Sequence, residues 1–267
     1  MRIYELGEGQ PEVAVVAGIH GDEPCGVRAV ERLLAEEPAV DRAVKFIVAN
    51  EEALEAEKRY LEADLNRAFP GDPDADSHEG RLAHDLAREI EGCTVLALHS
   101  TQSYADPIAV IDTVDEIARA IAPRLPVDVL IETDNYTDGR LIEHAHTIEV
   151  ECGLQGTDEA AENGYWLVRA FLEATNVLPA SDDEDRLAAP ERSAVRVFRL
   201  DGPIPKPPAE EYEVAAPNFE RVEAGEVFAY ADGEALTAET AFYPVLLSAY
   251  GYEDIFGYAS SEEGTLS

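Results

Sequence analysis

EVAVVAGIHGDEPCGVRAVERLL, residues 12 to 34, contains the transition on which the fold turns. Glu12 to Gly18 is a short, valine-rich apolar run of the kind that forms a strand buried on both faces. Pro24 to Leu34 then carries apolar residues at helical spacing, with Pro24 suited to the first helical turn, where its missing N–H costs nothing. A buried strand that hands over directly to a helix is the repeating unit of α/β architecture.

The same alternation continues to about residue 175. Strand-length apolar runs at Val44–Ala49, Thr94–Leu98, Ile108–Ile111, Val127–Ile131 and Thr147–Val150 are interleaved with helical periods at Ser77–Ile90, Val114–Ile121 and Asp158–Thr175. Ser77 is placed to cap its helix, with Glu79 and Asp85 early in it, and Gly92 to end it. The expected fold is therefore α/β, a mixed, mostly parallel sheet flanked by helices.

Pro179 to Arg192 (PASDDEDRLAAPER) is acidic, Pro-bounded and without apolar period, so it reads as a linker or surface loop. Beyond it the pattern changes to short alternating runs broken by Gly and Pro: Ala194–Leu200, Glu211–Ala215, Val227–Ala231, Glu234–Leu236 and Thr240–Leu247. The expected division is a larger domain over residues 1–180 and a smaller β-rich domain over 190–267.

With 267 residues and 46% hydrophobic content the chain can bury a full-sized core. The net charge of −36 arises from 56 acidic against 20 basic residues, of which only Lys45, Lys58 and Lys206 are lysines. The acid is spread along the chain beside an ordinary apolar content, so it describes a solvated surface of halophilic type rather than disorder. Such a field repels phosphate backbones and anionic lipid, which argues against nucleic-acid or membrane partners. No run approaches the roughly 20 apolar residues of a membrane span, and the first residues lack a secretory pattern, so the expected location is the cytoplasm. Cys25, Cys93 and Cys152 lack metal or disulfide spacing and are expected to be small buried residues.

Three strand ends aim acid or imidazole at one edge of the expected sheet. His20 and Glu23 follow the first strand, His99 follows Thr94–Leu98, and Glu151 closes Glu149-Val150-Glu151-Cys152-Gly153. Open α/β sheets gather ligands outside these ends. Two His and a carboxylate are a donor set for a catalytic zinc ion that keeps a position for water, with Glu151 as a candidate general base. Spacing alone leaves this reading level with ordinary hydrogen-bonded polar residues.

A further stretch, Arg59-Tyr60-Leu61-Glu62-Ala63-Asp64-Leu65-Asn66-Arg67-Ala68-Phe69-Pro70-Gly71, adds weight. Together with HGDE (20–23), LHST (98–101) and the E-x-G of Glu151 to Gly153, in this order and with these gaps, it resembles the succinylglutamate desuccinylase/aspartoacylase family, which belongs with the zinc carboxypeptidases. The resemblance implies one zinc ion per chain held by His20, Glu23 and His99. It implies Glu151 as the base that activates water and Arg59 as the cation that polarises the scissile carbonyl with zinc. Asn66 and Arg67 match binders of a substrate carboxylate. Tyr252, with Tyr250 as the alternative, matches a substrate-binding tyrosine of the second domain. Arg140 lies one position from a further substrate-binding arginine of aspartoacylases, and Asp22 stands where the family usually has Asn. His144 and His146 are expected at the surface or behind the site.

The implied activity is zinc-dependent hydrolysis of the amide bond of a small N-acyl amino acid or related amine, in a protein compatible with a homo-oligomer. Two rivals share these residues: a metallocarboxypeptidase acting on short peptides, and a non-catalytic binding protein on the same fold.

Overall fold

The structure, a computed structural model, describes residues 1–134, 136, 139–144, 146–179 and 194–267. In chain order the elements are β1 (Arg2–Leu6), β2 (Val13–Ala17), α1 (Cys25–Ala35), β3 (Val44–Val48), α2 (Glu51–Glu55), α3 (His78–Glu89), β4 (Thr94–Thr101), β5 (Ile108–Ile111), α4 (Glu116–Ile121), β6 (Val129–Glu132), β7 (His146–Leu154), α5 (Asp158–Ala174), β8 (Val195–Pro205), β9 (Tyr212–Val214), β10 (Val227–Ala231), β11 (Glu234–Thr237), β12 (Tyr243–Val245) and β13 (Ile255–Leu266).

One ten-stranded sheet runs β1-β3-β2-β4-β7-β5-β6-β8-β13-β12, and a second, antiparallel sheet runs β11-β10-β9. The stretch β3-β2-β4-β7 is parallel throughout, β5 reverses against β7, and β5-β6-β8 is again parallel. The expected α/β class, with a smaller antiparallel sheet in the C-terminal part, describes this arrangement.

The valine-rich run of β2 is apolar at every position because both faces are covered. Val13, Val15 and Ala17 pack into the core formed with α1, α4 and α5. Ala14 and Val16 pack into the opposite core with Leu82, Ala83 and Leu86 of α3. A strand with no solvent-facing side has no reason to alternate. The same parity governs β7, where Ile148, Val150 and Cys152 join the first core and leave Glu149 and Glu151 together on the other face.

Two strands escape the sequence pattern. Strand β1 is a half-exposed edge pairing only with β3, so it carries no continuous apolar run. Strand β13 is twelve residues long but polar, broken by glycines and shifted in register three times against β8. The chain to either side of the expected division is nevertheless tied into one sheet, because β8 pairs in parallel with β6 and carries β13 and β12 with it. The expected linker falls, from residue 180 on, outside the described residues. All three cysteines are buried and free, as expected. Among the described residues no helix is long and apolar enough to cross a membrane.

Candidate metal centre

His20, Glu23 and His99 converge at the carboxyl ends of β2 and β4. One donor atom from each lies within 4.8 Å of the others, and all three residues are buried. The backbone enforces this. A Cβ on Gly21 would stand 2.1 Å from the main chain of Ala53, so only glycine lets the turn after β2 lie against α2. Helix α1 then starts directly after Pro24, whose carbonyl accepts from Arg28 N at 3.0 Å. Strand β4 extends to Thr101, three residues beyond the expected end, because β7 pairs along it. His99 therefore sits within the ladder, in register with Glu151.

Glu23 is the hub. Its Oε1 lies 2.9 Å from His20 Nδ1 and accepts from Arg59 Nη1 at 3.0 Å. Its Oε2 lies 3.1 Å from His99 Nδ1 and accepts from Ser100 N at 3.1 Å. Burial alone would raise the Glu23 carboxyl, but the two imidazoles hold it well below the usual carboxylate range. Burial alone would lower His20, but Glu23 and Asp64 hold its imidazole at about 9. Two imidazoles and a buried carboxylate facing one point form a donor set suited to a divalent transition metal, zinc above all.

Asp64 is a participant that the sequence pattern did not single out. Its Oδ1 stands 3.0 Å from His20 Nε2 and accepts from Asn66 N at 2.9 Å, while its Oδ2 accepts from Arg59 Nε at 3.2 Å. A carboxylate behind a ligating imidazole fixes its tautomer and ring orientation. The only signal for it was its place in the stretch Arg59 to Gly71, next to Leu65-Asn66-Arg67. The loop that carries it is pinned by Glu79, expected merely to favour a helix start. Its carboxylate accepts from Leu61 N at 2.7 Å, Glu62 N at 3.2 Å, Ala63 N at 3.1 Å and Asn50 Nδ2 at 3.2 Å.

Glu151 projects from β7 into the same cavity, with its Oε2 buried and without a protein partner. Burial, reinforced by Glu23 and Glu149 against the pull of His99 and Arg140, pushes its carboxyl up to about 7. Gly153, two residues on, has φ +126°, and a Cβ there would meet Ala105 O at 2.6 Å, which explains the glycine of E-x-G.

The remaining candidates divide by employment. Arg59 and Arg67 both line the cavity, which has a volume of about 230 Å³. Arg67 is exposed, and its one hydrogen bond among the described residues goes to Asn66 O, at 2.6 Å. Asn66 is buried, donating to Glu149 Oε1 at 3.0 Å and accepting from Leu141 N at 2.9 Å. Arg140 also lines the cavity but is ion-paired to Glu149 at 2.6 Å. Glu149 is the second participant missed, although its position two residues before Glu151 on one strand places both on the same face. Of the two tyrosines, Tyr252 lines the cavity; Tyr250 is 65% exposed, with its hydroxyl near Tyr212 N. Asp22 keeps its side chain off the cavity wall and helps hold the charge of Arg59. His144 packs on Phe69 and His146 faces Asp115 at the surface.

Residues 9–129 match the family described as succinylglutamate desuccinylase/aspartoacylase catalytic domain. The matched span is less than half of the chain. Within it lie His20, Glu23, Arg59, Asp64, Asn66, Arg67 and His99, whereas Glu149, Glu151 and Tyr252 lie beyond it. Solved structures extend the likeness to the whole chain. A succinylglutamate desuccinylase/aspartoacylase from Rhodobacter sphaeroides superimposes with a TM-score of 0.78 at 19% identity, covering 97% of this chain and 89% of that one. The product-bound ectoine utilization protein EutE (DoeB) from Ruegeria pomeroyi gives 0.76 at 16% identity, covering 97% and 88%. Murine aminoacylase 3 gives 0.70 at 21% identity, covering 96% and 97%. At these identities the likeness establishes a common fold. No curated protein sequence matches the chain.

Proposed function

We propose that the protein is a zinc-dependent hydrolase of the amide bond of a small N-acyl amino acid or related amine. The observation that carries this reading is the juxtaposition, in one cavity, of the buried His20–Glu23–His99 donor set with the partnerless carboxylate of Glu151 on the adjacent strand. The family match over residues 9–129 and the fold shared with desuccinylases and aminoacylase 3 support the same reaction class.

His20, Glu23 and His99 would hold the zinc ion, which supplies Lewis acidity to the amide carbonyl and the attacking water. Glu151, with its carboxyl near neutrality, takes a proton from that water as the hydroxyl adds to the carbonyl carbon. It returns the proton to the nitrogen as the C–N bond breaks, leaving a carboxylate and a free amine. Arg59, aimed by Glu23 and Asp64, places a permanent positive charge where the carbonyl oxygen becomes negative. Arg67, with Asn66 beside it and Tyr252 across the cavity, takes the substrate carboxylate. The acidic surface suits a salt-rich cytoplasm.

The test is metal analysis of the purified protein together with turnover of N-acetyl, N-succinyl and N-formyl amino acids at high salt. Normal turnover by Glu151→Gln refutes the base, and zinc retained by a His20→Ala, His99→Ala double variant refutes the ligand set. Activity on dipeptides without activity on acyl amino acids would reassign the enzyme as a carboxypeptidase.

A further inference from the structure

The geometry points to a substrate with a single carboxylate: an N-acyl compound whose acyl group and side chain are otherwise uncharged, selected by the Glu149–Arg140 pair. This inference rests on the hydrolase reading above and deepens it.

Among the described residues lining the cavity, the permanent cations are Arg59, Arg67 and Arg140. Arg59 is shared between Glu23 and Asp64. The Arg140 side chain is largely enclosed, 16% exposed, and its Nη2 meets Glu149 Oε2 at 2.6 Å. Glu149 is itself 2% exposed, and its other oxygen accepts from Asn66 Nδ2. A buried arginine with a buried carboxylate at this distance is already neutralised. Taking it away from Glu149 would leave that carboxylate uncompensated, a large cost in a dry site. Arg67, with no carboxylate partner among the described residues, is then the one cation free to take an anion.

Part of the rest of the wall agrees, beside a polar part that includes Thr101, Gln102, Ser103, Thr133, Gln155 and Ser248. Val110 lies beside Glu149 across the β5–β7 ladder, and Ile131, Leu200, Val245 and Tyr258 carry the surface on through β6, β8, β12 and β13. A second carboxylate placed here would face apolar side chains and the like charges of Glu149 and Glu151. Arg140 Nε is buried without a protein partner, and a neutral acceptor such as a carbonyl oxygen satisfies it without adding charge. An unpaired buried charge is discriminated against on the order of 100-fold or more in kcat/KM.

The experiment compares N-acetyl-leucine with N-acetyl-aspartate and N-succinyl-leucine on the zinc-loaded protein. The wild type is expected to prefer the monocarboxylate by about 100-fold or more. Glu149→Gln, which frees Arg140, is expected to reduce that preference at least roughly tenfold by gain on the dicarboxylates. Equal or better use of either dicarboxylate by the wild type overturns the inference, as does an unchanged preference in a folded Glu149→Gln protein. Should that variant not fold, Glu149→Gln combined with Arg140→Met removes the charge as well as its partner. It is expected still to prefer N-acetyl-leucine, whereas loss of N-acetyl-leucine turnover with zinc retained would show that Arg140 grips the substrate. If zinc is bound and nothing is hydrolysed, the hydrolase reading fails on its own, and calorimetric binding of the same three compounds decides the preference. Tightest binding of N-acetyl-leucine then upholds the inference, and any other order overturns it.

Discussion

Replacing Glu79 by Ala should destabilise the protein and disorganise one side of the cavity without touching a proposed metal ligand. The carboxylate accepts from three successive amides, Leu61, Glu62 and Ala63, and from the side chain of Asn50. Glu79 is fully buried, but Leu61 and Glu62 are exposed, so water can reach part of what the truncation uncovers. Taking the lower end for an unsatisfied amide, about 1 kcal/mol for each of the three, the expected loss is about 3 kcal/mol. Urea denaturation of the two proteins at neutral pH reads this directly, and a loss below about 1 kcal/mol would refute the argument that these bonds hold the loop. Titration adds a second reading. Burial would raise the carboxyl above its ordinary 4.5, but the N–H donors outweigh it and hold it lower. A depressed folded-state pKa means that the stabilisation is fully present above about 4.5 and is lost as pH falls through the lower folded value. The stability gap between wild type and Glu79→Gln should be flat above about pH 5.5 and narrow below about 4.5; a gap that widens on acidification would contradict the assignment.

Three other outcomes follow from the same structure. Asp64→Asn should weaken zinc binding by roughly 10–100-fold, read by competition with a chelator, because His20 loses the carboxylate behind its Nε2. Tyr252→Phe should raise KM several-fold with little change in kcat, while Tyr250→Phe leaves both unaltered, since Tyr252 alone of the two lines the cavity. Raising KCl from about 0.1 to 1 M shortens the screening length from about 10 to 3 Å. With a net charge of −36 the midpoint of thermal unfolding should rise by roughly 6–12 °C, equivalent to about 3 kcal/mol at this size.

The sequence carried the parts of this molecule that obey a local period. Strands β2, β3 and β4 announce themselves because they are buried on both faces, and ligands at their ends follow from where α/β sheets keep them. His20, Glu23, His99 and Glu151 were legible for that reason, and the family resemblance added Arg59, Asn66 and Arg67. What stayed hidden depends on partners distant in the chain. Asp64 meets His20 across 44 positions, and Asn66 meets Glu149 across 83. No periodicity encodes such pairs, so the sequence offered Arg140 as a candidate substrate-binding arginine, with no sign of the Glu149 carboxylate against it. Strand β13 was unreadable because its pairing with β8 is held by backbone bonds through Gly257 and Gly264 rather than by an apolar pattern.

The continuity of the large sheet from β7 to β12 has a kinetic side. Glu151 stands on β7, and the apolar wall facing it stands on β5, β6, β8, β13 and β12, all members of one hydrogen-bonded ladder. Base and wall therefore cannot move apart by a hinge; separating them means breaking backbone pairs. On the proposed reading, a small acyl compound would meet this part of the cavity already shaped, so little ordering entropy would be spent here on binding, and encounter would depend on the Arg59–Arg67 loop that Glu79 anchors. On the proposed reading, substrate entry and product exit should accordingly track the fluctuations of residues 59–67, and so should the hydrolytic step to the extent that it uses Arg59.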